Sequence, residues 1–144
     1  MKIDKSYLLG IYEIIRTGHW ITDQVGQLLK PYDMTEPQYN VLKILKGRRG
    51  EPITVQEIQE RMVQRTSNVT RIIDKLLDKA FVNRQECPTN RRKMDITITE
   101  QGLAKLDQLD QVVMNFHKPL AENMTGAEIE KLTELIIKLK ANLK

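Results

Sequence analysis

Side chains suited to reading or gripping nucleic acid are gathered in two short stretches of this sequence. The first contains Arg65, Thr66, Ser67, Asn68, Arg71 and Lys75, and the second is the run Arg91, Arg92, Lys93. Arginine can pair with guanine and asparagine with adenine in bidentate fashion, while hydroxyls and a helix N-terminus take phosphate oxygens. A compact cationic run neutralises phosphates or places an arginine in a narrow minor groove. Taken alone, each stretch also reads as ordinary solvated surface, so the elements that carry them must decide. Other chemistry has little to work with. His19, His117 and Cys87 lack any close ligand spacing, so no metal site is expected. The same scarcity argues against nucleophilic catalysis, and no glycine-rich phosphate loop occurs, so neither an enzyme nor a cofactor is expected. Cys87 reads as a plain loop thiol, with basic Arg84 opposed by Glu86.

Charge agrees with a polyanionic partner once it is located. The 144 residues carry a formal net charge of only +4. From Lys43 to Lys93, however, 13 Lys or Arg face 6 Asp or Glu, a net +7, whereas the rest of the chain has 10 against 13, a net −3. The excess is confined to the middle, as expected if the middle alone meets phosphate. A single cysteine excludes an intramolecular disulfide framework, and neither a signal-like nor a membrane-spanning apolar run is seen. A cytoplasmic protein without membrane attachment is the expectation. The length fits one domain, here residues 1–144.

Apolar spacing supplies the elements. Tyr7, Ile11, Ile14, Gly18, Ile21, Val25 and Leu28 alternate by four and three, predicting a long helix that Pro31 stops. Gly10, Gly18 and Gly26 each weaken that helix by roughly 1 kcal/mol, which points to close packing or bending there. Thr35, followed by Pro37, opens a helix whose buried face is Tyr39, Val41, Leu42 and Leu45. Thr54 and Glu57 have capping-box spacing and predict a short helix to about Met62. After a turn over Val63–Arg65, Val69, Ile72, Ile73, Leu76 and Leu77 define a helix from about Thr66 to Ala80. Ser67, Asn68, Arg71 and Lys75 fall opposite its apolar stripe.

Phe81–Arg84 and Met94–Ile98 read as two strands joined by a polar loop, Gln85–Lys93, with the cationic run at its tip. Thr99 then caps a helix with apolar positions from Leu103 to Phe116. Thr125 and Glu128 open the last helix, whose stripe runs from Ile129 to Leu143. The fold class is therefore mainly α with a small β-hairpin. It is a winged helix-turn-helix over residues 34–99, flanked by helices at 1–30 and 100–144. A helix pair lays its second helix across the first and into the major groove, and a basic hairpin directly after it gives a second contact.

The motifs make the pattern more specific. The stretch Ser67-Asn68-Val69-Thr70-Arg71-Ile72-Ile73-Asp74-Lys75-Leu76, then Asn90-Arg91-Arg92, then Thr97-Ile98-Thr99-Glu100-Gln101-Gly102, resembles the MarR family of transcriptional regulators. The order of elements matches that family along essentially the whole chain. The resemblance implies that Asn68 and Arg71 face the major groove, that Arg92 is the wing arginine near the minor groove, and that Asp74 is a structural acid bracing the wing. Two positions depart from the pattern: Asn90 stands where the family has a wing aspartate, and Ile98 where leucine is usual.

The resemblance further implies that the first helix and the last two interlock in a homodimer on a pseudo-palindromic site in double-stranded DNA. Independently, the first helix's stripe has no obvious partner in the small winged unit. Family members respond to small, often aromatic or anionic molecules, for which Arg16, His19, Trp20 and Tyr39 are candidate lining residues. The plainer reading, preferred for His19, Trp20 and Tyr39, makes them packing residues with satisfied polar atoms. The expected function is a sequence-specific DNA-binding regulator, a ligand-responsive repressor. The alternative is a winged-helix protein-interaction or assembly module whose basic face meets an acidic partner.

Overall fold

The computed structural model describes residues 1–143. Helix α1 spans Lys5–Leu29, with Asp4 accepting from the Ser6 amide at 3.4 Å and the Ser6 hydroxyl at 2.6 Å. Pro31 ends the α-helical ladder, as expected, but the chain tightens into a 3₁₀ turn over Lys30–Tyr32 before breaking at Asp33, which takes a left-handed conformation with φ 55°. Close packing does not explain the α1 glycines: within the chain, a Cβ on Gly10, Gly18 or Gly26 would meet nothing within 4 Å.

Helix α2, Glu36–Gly47, begins with a complete capping box. Thr35 Oγ1 accepts from the Gln38 amide at 3.3 Å and Gln38 Oε1 accepts from the Thr35 amide at 3.1 Å. It buries Val41, Leu42 and Leu45. A two-residue strand β1, Ile53–Thr54, leads into α3, Val55–Arg61, and α4 follows as Val69–Asp78. Val69, Ile73 and Leu76 of α4 close on the core with Ile58 of α3.

Three antiparallel strands stand in the order β1-β3-β2, with β2 at Val82–Cys87 and β3 at Asn90–Ile98. Ile53 pairs with Ile96, and Val82 with Ile98, so the sheet's apolar end lies in the core. The sheet thus has one strand more than the expected hairpin, because a two-residue strand is too short to show a period. The hairpin is also longer than expected. Its loop is only Pro88–Thr89, since β2 runs on to Cys87 and β3 starts at Asn90, with Arg91–Lys93 bulging between the Cys87–Asn90 and Glu86–Met94 pairs. The hairpin projects from the core, so its residues are polar on both faces.

Helix α5, Glu100–Ala121, starts against the wing's base. The Thr99 hydroxyl donates to the Ala80 carbonyl at 2.7 Å and accepts from the Gly102 amide at 3.0 Å. Gly102 is required there, since a Cβ would sit 2.2 Å from the Phe81 carbonyl oxygen and 2.8 Å from Ile98 Cγ1. Tyr39 and Lys43 of α2 meet Asp110 of α5, the phenol donating at 2.6 Å and the ammonium at 3.2 Å. Helix α6, Gly126–Leu139, has the Thr125–Glu128 box and ends before Leu143. The described chain divides into two compact units, Met1–Val112 and the part from Val113 onward. No described residue of α6 is buried.

Candidate nucleic-acid interface

Helix α4 is shorter than the sequence predicts, and the difference relocates part of the expected site. The helix begins at Val69, so Arg65, Thr66, Ser67 and Asn68 form the turn leading into it. The reason is local: Thr66 Oγ1 accepts from the Asn68 amide at 3.1 Å, a hydroxyl-closed turn that competes with helix. The connection from α3 is correspondingly longer than the predicted turn over Val63–Arg65. It is tied down by Gln59 Nε2, which donates to the Thr66 carbonyl at 2.8 Å, and by Asn40 Oδ1, which accepts from the Val63 amide at 2.8 Å. Neither tie has a sequence signature, because each joins residues from different elements.

Arg65, Thr66, Asn68, Arg71 and Lys75 line one open cleft of about 570 Å³. The α2 cap Thr35, Pro37 and Gln38 of α2, and Gln64 of the turn form its other wall. Ser67 is exposed on the same turn but does not line the cleft. Apart from Ser67, then, every expected residue of the first stretch shares one face. Gln64 is not among the predicted residues; lying outside the helical stripe, it has no periodic signal.

The second cationic group lies beside the hairpin tip but within a strand. Arg91, Arg92 and Lys93 fall in β3 at the register shift next to the Pro88–Thr89 turn, and all three are exposed. Arg92 and Lys93 line a smaller cleft of about 330 Å³ with Thr54, Val55, Gln56 and Gln59, which brings the wing beside the start of α3. Asn90 Oδ1 accepts from the Arg92 amide at 3.0 Å, so it fixes the backbone of Arg92. Asp74 is joined to the wing by a different arginine. Arg84 of β2 donates to Asp74 Oδ1 at 2.8 Å, a link between α4 and the wing's base. Both side chains are partly exposed, so the pair orients more than it stabilises. The Cys87 thiol, at the bulge between Glu86 and Cys87, is held below the usual thiol range by a hydrogen bond with Thr89, not by Arg84.

The expected effector residues are dispersed. Arg16 makes a 3.9 Å pair with Glu13, both exposed, and Trp20 is exposed on α1. His19 is also exposed, and its carbonyl accepts from the Thr22 hydroxyl at 3.1 Å. The Tyr39 hydroxyl is committed to Asp110, and partial burial with that neighbouring carboxylate pushes it well above the usual phenol range. None of the four lines the clefts named here. A cleft of about 460 Å³ lies instead between Thr22, Asp23, Gly26, Gln27 and Lys30 on one side and Met34–Pro37 on the other. Partial burial holds the Glu36 carboxyl above the usual carboxylate range.

Among the described residues no group of three or more His, Cys, Asp or Glu could hold a metal ion, and no helix is long and apolar enough to cross a membrane.

The sequence profile of the MarR family matches residues 34–94, the span from the corner before α2 to the middle of β3. An HTH-type transcriptional repressor of Pseudomonas putida, IacR, is 25% identical over 125 residues, covering 87% of this chain and 74% of its own length. The transcriptional regulator BldR of Sulfolobus solfataricus superposes with a TM-score of 0.84 at 21% identity, covering 99% of this chain and 100% of its own. A cysteine-to-serine mutant of Escherichia coli MarR, crystallised with operator DNA, superposes with a TM-score of 0.77 at 24% identity, over 96% of this chain and 99% of its own.

Proposed function

Because the chain belongs to the MarR family of winged-helix transcriptional regulators, we propose that it is a ligand-responsive repressor that binds a pseudo-palindromic operator as a homodimer. Helix α4 enters the major groove. Asn68 and Arg71 read base edges, Arg65, Thr66, Ser67 and Lys75 take phosphates, and Arg91, Arg92 and Lys93 grip the flanking DNA. Asp74 braces the wing through Arg84. The observation that carries this reading is the shared face of Arg65, Thr66, Asn68, Arg71 and Lys75, opposite a stripe buried to 2% exposure or less at Val69, Ile73 and Leu76. A solvated helix face has no need to gather cations and an asparagine around one open cleft.

Two copies come together through the exposed apolar residues of α1 and α6, giving half-sites about 10 base pairs apart. A small molecule enters the cleft between the end of α1 and the start of α2. Its volume of about 460 Å³ lies in the range of ligand pockets, and Lys30 and Glu36 provide its polar contacts.

Fluorescence anisotropy with the DNA upstream of this protein's own gene, set against random-sequence duplex, tests the central claim. Preference for the upstream DNA at physiological salt is expected, whereas equal micromolar binding to both overturns it. Replacing Arg71 by Ala costs about 1–3 kcal/mol and relaxes base preference, while Arg92→Ala weakens all sequences alike and lowers the salt slope by about one. An equal loss on every sequence from Arg71→Ala contradicts base reading.

A further inference from the structure

We propose that Lys79 is a positioning residue for DNA recognition, its ammonium fastening the carboxyl end of α4 to the corner between α1 and α2 so that this corner sets the aim of the helix. The inference rests on α4 being the reading helix.

Lys79 is the C-cap residue of α4, and its side chain is only 23% exposed, low for a lysine on a small domain. Its Nζ donates to the main-chain carbonyl of Asp33 and, at 3.4 Å, to Gln38 Oε1. Met34 Sδ lies 3.7 Å away and the Asp33 carboxylate 3.6 Å away. That carboxylate is 98% exposed, so the ion pair itself contributes little and the carbonyl and amide are the partners that matter.

Each partner is itself fixed by the corner. Asp33 is in the left-handed region, its amide donating to the Lys30 carbonyl at 3.0 Å, and the buried Met34 donates back to the Leu29 carbonyl at 3.3 Å. Gln38 Oε1 is the same oxygen that completes the α2 capping box. One ammonium therefore joins the end of α1, the cap of α2 and the end of α4. The other end of α4 is held differently, through the Gln59 bond to Thr66 and the Asn40 bond to Val63. Helix α4 is thus held at its carboxyl end by the corner and α2 and at its start by α3 and α2, and it turns when the corner moves against them. The corner is the support continuous with α1, so a shift of α1 reaches α4 through Lys79.

The test compares wild type with Lys79→Met, which keeps the apolar stem and removes the ammonium, and with Lys79→Gln, which removes the charge and keeps a shorter polar group at the same position. Amide exchange is read on the DNA-free protein, and anisotropy on upstream and random-sequence duplex. Both variants are expected to exchange the amides of Met34, Ala80 and Phe81 about tenfold faster. Both are also expected to lose about tenfold in the ratio of upstream to random-sequence affinity, with the salt slope unchanged. Unchanged exchange, a preserved ratio, or an equal loss on both duplexes overturns the proposal; the last outcome would make Lys79 a phosphate contact. Should Lys79→Met fail to fold, Lys79→Gln decides by the same readings. Wild type without any preference for upstream DNA would instead refute the functional reading, and the exchange measurement would still judge the clasp.

Discussion

Leucine has opposite surroundings in two parts of this chain. In the winged unit Leu42, Leu45 and Leu76 are at most 2% exposed, whereas in α6 Leu132, Leu135 and Leu139 are 40, 50 and 41% exposed. Helix α1 contains both conditions: Val25 and Leu29 are buried near its end, while Tyr7, Leu8, Leu9, Tyr12, Ile14 and Ile15 are open along the rest of its length. The helical spacing is equally regular in all three places. Periodicity thus reports that a helix has an apolar face, but the partner of that face is set by tertiary structure. In the winged unit the partner is the sheet and its neighbouring helices. For α1 and α6 the proposal assigns that role to a second copy, since open apolar stripes of this kind mark association surfaces.

Deleting the same atoms in the two places separates these conditions. Leu76→Ala removes a fully buried side chain from the inner face of α4 and is expected to cost about 2–5 kcal/mol, measured by urea unfolding. The spread reflects how far the site collapses. A loss under about 1 kcal/mol would mean the winged core is far looser than its burial indicates. The next effect comes from adding atoms. Gly102→Ala sets a methyl against the Phe81 carbonyl, and a backbone oxygen cannot swing aside as a flexible side chain can. A cost of about 1–3 kcal/mol is expected, read as a lowered unfolding midpoint. A neutral result would show that the junction between the wing's base and α5 is free to move.

That junction also shows how far the sequence can be read. Thr99 is legible as a cap from its type and position, and its hydroxyl does accept from the Gly102 amide. Its second bond, to the Ala80 carbonyl, joins residues 19 positions apart and has no local pattern. The apolar stripe of α4 is legible because burial follows the helical period, but the helix starts at Val69 rather than Thr66. Thr66 closes a turn that the period alone cannot see. The wing's cations are legible by type and not by place. Polarity on both faces resembles a loop, yet the run lies within β3, where Arg91–Lys93 bulge between the Glu86–Met94 and Cys87–Asn90 pairs. Asp74 shows the same limit. Its role as a brace comes from the resemblance, while its partner Arg84 is set by the way β2 leaves α4.

The smallest expected effect is the most direct test of the difference between the two regions. Leu135→Ala removes the same atoms as Leu76→Ala, but from a side chain half exposed in the single chain. Helix propensity slightly favours alanine over leucine, so stability measured where the protein is monomeric should change by less than about 0.5 kcal/mol. Stability of an associating protein rises with its concentration, because only the folded form binds its partner. Wild type is therefore expected to gain in unfolding midpoint as concentration is raised, and Leu135→Ala to gain less, so that the variant's deficit grows with concentration. A deficit already present at the lowest concentration, and constant above it, would mean that the α6 face is covered within its own chain. The two leucines would then differ in degree only.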